Sequence, residues 1–154
     1  MRLFKLFAVL CLFLLVISPL SAVQAKTIPI RVWADVEWNE SGIMLEDGQT
    51  YNIKANGMAI TGPLHEYPES KSGPAGQTWN LTCDLYHSPP MDCNLFGAPY
   101  GALVGKVGEF GEPFLIGDAS SFIAPEAGLL FLAVNDNIGT HFDNQAGFTV
   151  LFQN

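Results

Sequence analysis

Apolar positions in this chain recur with a period of two. Ile30, Val32, Ala34 and Val36 alternate with Arg31, Asp35 and Glu37, while Tyr51, Ile53 and Ala55 alternate with Asn52, Lys54 and Asn56. Successive side chains of a strand point to opposite faces, so both stretches predict half-buried strands. Phe148, Val150 and Phe152 alternate with Thr149 and Leu151 and predict a last strand. Shorter apolar runs at 102–107, 114–116 and 122–124 are set off by Gly101, Gly108, Gly117 and Pro125. The unbroken run 129–134, entered from Gly128, predicts a central strand buried on both faces. No helical period is sustained after residue 25, and 15 Gly and nine Pro punctuate the chain from there on. The pattern predicts about eight strands in an all-β, two-sheet sandwich of jelly-roll type. Segment 62–99, rich in Pro, predicts an irregular excursion.

The first 25 residues follow a different rule. Arg2 and Lys5 precede an uncharged run from residue 6 to 17, then Ser18-Pro19 and the small-residue stretch ending Ala22-Val23-Gln24-Ala25. That order predicts a secretory signal peptide, with residues 26–154 as the mature domain and a secreted or periplasmic destination. A retained N-terminal anchor is the alternative, although the run is short for a bilayer.

Without residues 1–25, five basic and 15 acidic residues leave a charge of −10. Phosphate backbones demand a basic footprint, so nucleic acid is excluded as a partner. Cys83 and Cys93 remain as an even pair, which in an oxidising compartment predicts a disulfide. Two inert thiols are the alternative.

Catalytic signatures are missing: there is no Gly-x-Ser-x-Gly, no His-Glu-x-x-His and no phosphate loop opening a helix. The expectation is a protein that is not an enzyme, with a hydrolase built on scattered carboxylates as the least favoured class. One constellation stands out, Asn135-Asp136-Asn137-Ile138-Gly139-Thr140-His141-Phe142-Asp143-Asn144, between the two C-terminal strand patterns. Asp136, Asp143 and Asn144 are hard oxygen donors, and Gly139 lets the chain turn so that the Thr140 carbonyl faces inward; calcium takes such oxygens. The spacing is not that of an EF-hand. The same residues also suit an Asx-rich turn that satisfies only its own backbone.

At this loop the sequence resembles the PA-I type galactophilic lectins of bacteria. The resemblance runs from Asn135-Asp136 through Thr140 and over Asp143-Asn144-Gln145-Ala146-Gly147-Phe148. It extends back through Gly101-Ala102-Leu103-Val104-Gly105-Lys106-Val107-Gly108 and Phe122-Ile123-Ala124-Pro125, and more loosely to 57–63. It implies a galactose-binding-domain-like sandwich that binds carbohydrate without catalysis and often forms small homo-oligomers. It implies calcium held by Asp136, Asp143, Asn144 and the carbonyls of Thr140 and Thr61, the residue before Gly62-Pro63. Two sugar hydroxyls would complete the shell, with His87, Asp136, Asn137, Thr140 and Asp143 facing the sugar.

The sequence departs from that pattern in two places. Asp143 stands where the galactose binders typically carry Asn, which adds charge for calcium and removes a donor for a hydroxyl. The family's His-Pro-x-Gln element has its nearest match in His87-Ser88-Pro89-Pro90-Met91, one residue longer and without Gln. Among the aromatics, Trp79 is the candidate for stacking on sugar, and Trp33 is assigned to core or sheet surface. His141 is assigned to the loop rim. The expected function is a secreted, calcium-dependent lectin; the alternative is an accessory or interaction domain in which the ion only joins loops.

Overall fold

A computed structural model describes residues 26–62, 70–77, 82–83 and 92–153. The expected signal segment, His65, Trp79 and His87 lie outside these residues.

Two antiparallel sheets face each other. The first holds β1 (Thr27–Trp33), β3 (Thr50–Ile60), β4 (Lys71–Ser72), β7 (Ala119–Ile123) and β9 (Gln145–Gln153). Its order is β1-β9-β3-β4, with β7 on the far edge of β3. The second holds β2 (Asn39–Leu45), β5 (Leu103–Val107), β6 (Phe114–Leu115) and β8 (Gly128–Val134), in the order β2-β8-β5-β6. This is the expected two-sheet, jelly-roll-type sandwich.

The period-two pattern explains the core. Val32, Ile53, Phe148, Val150 and Phe152 point inward from the first sheet onto Leu103, Leu130, Leu132 and Val134 of the second. Each such side chain contributes about 1.5 to 3 kcal/mol by leaving water. Tyr51 packs its ring 5.2 Å from Phe152 and 6.0 Å from Phe122, and its hydroxyl accepts the Glu46 amide at 2.9 Å.

Three local expectations need correction. The first strand stops at Trp33, and Val36 lies 40% exposed in the turn beyond it. Asn39 makes that stop: its Oδ1 accepts the Trp33 amide at 2.9 Å, while Nδ2 donates to the carbonyls of Trp33 and Leu132. The side chain thereby joins the end of one sheet to the start of the other. Strand β2 escaped the pattern because its inward positions Asn39 and Ser41 are polar, and its register to β8 shifts between Glu40 and Met44. Strand β8 is central, yet Leu129 and Phe131 are only half-buried, so one of its faces is partly open.

Only parts of the excursion belong to the described residues. It carries β4, paired with the end of β3, and isolated bridges join Ala75 to Ala102, Thr82 to Pro99 and Cys93 to Asn137. Cys83 and Cys93 form the expected disulfide with Cα atoms 5.9 Å apart. Closing that short loop contributes about 2.5 to 3 kcal/mol in the loop-entropy account. Among the described residues no helix is long and apolar enough to cross a membrane.

Candidate functional site

The loop from β8 to β9 leaves one sheet and enters the other, so its two ends are anchored in opposite layers rather than in neighbouring strands. Gly139 turns it with φ 80°, and a single 3-10 turn, His141–Asp143, completes it. The Thr140 carbonyl accepts the Asp143 amide at 3.3 Å, and the Thr140 hydroxyl donates to the Asn137 carbonyl at 2.9 Å.

Asp136 is the centre of this loop, and only 1% of it is exposed. Its carboxylate accepts three donors: the Asn137 amide at 2.6 Å, the Asn144 Nδ2 at 2.8 Å and the Tyr100 hydroxyl. A buried carboxylate needs such donors to offset its lost hydration. Asn144 does more than reach Asp136. Its Oδ1 accepts the Gly62 amide at 2.9 Å and its Nδ2 also donates to the Ala34 carbonyl at 3.1 Å. One amide therefore holds the ends of β1, β3 and the β8–β9 loop together.

Thr61 is buried beside this group and takes part through its backbone amide and hydroxyl, both directed at the Ser70 carbonyl. Tyr100 shows how close these parts lie. Burial pushes its phenol far above the usual tyrosine range, and the Asp136 charge and hydrogen bond act the same way. Thr61 opposes the shift and the Asp143 charge adds to it. The phenol is thus a neutral donor to Asp136. Of the five expected metal ligands, Asp136 and Asn144 are hydrogen-bonded to each other, Asn144 also accepts the amide of Gly62 next to Thr61, and Thr140 and Asp143 lie in the turn between Asp136 and Asn144.

A clamp unread in the sequence holds the loop in place. Asn135 is fully buried; its Oδ1 accepts the Leu95 amide at 2.8 Å, and its Nδ2 donates to the Leu95 and Pro99 carbonyls at 3.1 Å each. Asn94 adds a reciprocal pair, its amide donating to the Asp136 carbonyl and its Oδ1 accepting the Asp136 amide, each at 3.2 Å. Glu37 accepts the Gly139 amide at 3.3 Å at the rim. Tyr100, Asn94 and Asn135 lie far apart in sequence from the residues they serve, so no local motif announces them; only their Asx-rich, turn-forming surroundings gave a signal.

His141 is the clear correction. It is buried rather than at the rim, with Nε2 3.1 Å from the Val134 carbonyl. A carbonyl only accepts, so Nε2 carries the proton; Nδ1 is buried and has no partner among the described residues.

Two carboxylates, an amide oxygen and two carbonyls are the donor kinds that a hard divalent cation takes. Among the described residues no three His, Cys, Asp or Glu side chains cluster, so carboxylates alone do not form the set. The donors fit calcium in kind, and the Asn137 amide, the Asn144 amide group and the Tyr100 hydroxyl all occupy the Asp136 carboxylate.

Comparison with protein families and with curated proteins gives no match. Among solved structures, a chain described as "EclA N-terminal domain; PllA-like lectin" has a similar fold, with a TM-score of 0.59 and 20% identity. The alignment covers 82% of this chain and 93% of that one. At this identity the likeness establishes a shared sandwich fold.

Proposed function

We propose that the chain is a non-catalytic carbohydrate-binding protein of the lectin class, secreted or periplasmic, whose sugar site is built on calcium. Asp136, Asp143 and Asn144 hold the ion with the carbonyls of Thr61 and Thr140. Calcium, when bound, supplies a hard cation that exchanges water for two adjacent sugar hydroxyls. Asn137, Thr140 and Asp143 orient the sugar from the loop, and His87, outside the described residues, is the further sugar contact that the sequence offers. Galactose-type or related sugars are the favoured ligands.

The observation that carries this reading is the buried Asp136 carboxylate, hydrogen-bonded by Asn144 and Tyr100 in the loop that crosses between the sheets. The lectin description of the fold neighbour supports the sugar half, and the disulfide supports an oxidising compartment. A glycan array run with and without chelator tests it: sugar binding should vanish with chelator. No glycan bound in millimolar calcium would remove the lectin reading.

A second reading is favoured by the same Asn144, which joins three chain segments without any sugar. In that case the ion joins loops of an interaction domain. Chelator would then lower the melting temperature while no glycan binds at all.

A further inference from the structure

The outer face of the first sheet carries a charge opposite to that of the chain. Its five strands hold 34 residues (7, 11, 2, 5 and 9) and none of the 15 acidic ones. Arg31, Lys54 and Lys71 all stand exposed on it. Three of the five basic residues after position 25 are thus gathered on one face of an acidic protein.

Register fixes what lies beside them. Trp33, Gly147 and Met58 form one row across β1, β9 and β3, and Arg31, Thr149 and Asn56 form the next. Directly paired residues share a face, and strands lie roughly 4.8 Å apart, so Trp33 and Met58 stand about two strand spacings from one another. Gly147 between them has no side chain, and none can be added: a Cβ there would lie 2.0 Å from the Val32 carbonyl oxygen, at φ 136°. The result is a shallow trough between two exposed side chains, with Gly147 itself buried beneath them. Trp33 is 52% and Met58 48% exposed along its walls. The Arg31 guanidinium lies 4.6 Å from the centre of the Trp33 ring, which holds cation and aromatic on one patch.

We infer that this trough is a second ligand surface, distinct from the Asp136 cluster, which takes an anionic saccharide of the uronate class. An indole offers an apolar plane to a sugar ring, Arg31 offers a paired donor to a carboxylate, and Thr149 and Asn56 offer hydroxyl partners beside them. A symmetric pairing of two copies through this face would set cations against cations with no anion to separate them, which disfavours self-association.

The test uses the full chain in EDTA, so that loss of the proposed calcium site and failure of this one are separable. Oligogalacturonides and their methyl esters are the two probes, read by calorimetry. The acid form should bind, with the ester at least about tenfold weaker. Trp33→Ala and Arg31→Gln should each weaken binding by about tenfold or more with an unchanged melting temperature, and Lys106→Gln on the opposite sheet should not. Equal binding of acid and ester, or no binding of either, overturns the inference. So does an equal loss in Lys106→Gln, binding to phosphatidylglycerol vesicles in place of the oligosaccharide, or self-association that Trp33→Ala abolishes.

Discussion

The Tyr100 hydroxyl donates to the Asp136 carboxylate, although 36 residues separate them. The pair puts a neutral phenol against one oxygen of the carboxylate proposed as a calcium ligand. Tyr100→Phe removes that donor and leaves Asp136 with the Asn137 amide and Asn144. Stability in chelator should fall by about 1.5 to 3 kcal/mol, the cost of one charge-assisted bond to a buried group. Calcium should bind more tightly, because its competitor is gone. Urea denaturation in EDTA and calorimetric titration read the two effects, and unchanged affinity would show that the phenol does not compete.

Asp136→Ala is expected to abolish stabilisation by calcium, since the loop loses its buried carboxylate. Thermal melting with and without the ion checks this. A melting shift as large as in the parent would count against Asp136 as a ligand.

Asp143→Asn removes one of the two carboxylates of the proposed calcium site. Calcium affinity should drop modestly, by an amount consistent with about 1 to 2 kcal/mol for a partly screened charge. Tighter binding in calorimetry would contradict the charge argument.

Asn135→Asp tests the clamp rather than the ligands. The substitution keeps shape but sets a carboxylate against the Leu95 and Pro99 carbonyls, where Nδ2 now donates. A loss of about 3 kcal/mol or more is expected, because the oxygen replacing Nδ2 would face carbonyls only, leaving the Leu95 amide as the donor to the buried charge. Chemical denaturation measures it, and a near-neutral change would mean that the 92–101 segment is held by other bonds.

The layers of the sandwich were legible because Ile30, Val32, Tyr51, Ile53, Phe148 and Val150 keep strict alternation on half-buried strands. Strand β2 was not, since Asn39 and Ser41 occupy inward positions where alternation would call for apolar residues. The candidate ligands from 136 to 144 were legible as a run of oxygen donors in one loop. Tyr100 and Asn94 were not, because their part depends on tertiary approach, and a Tyr after Pro99 carries no sign of the carboxylate it will meet. His141 was misplaced for a similar reason: a polar residue in a polar loop reads as exposed until the Val134 carbonyl turns out to be its partner.

Strand β9, the last in chain order, lies between β1 and β3 in the middle of its sheet. Until the ribosome has released those residues, the first strand to emerge has no neighbour to zip against. The polypeptide must therefore wait, with β1 unpaired and apolar-rich, for its own closing segment. Completion of that sheet is deferred to the end of the domain's synthesis, and a nascent-chain chaperone would have that whole interval in which to act.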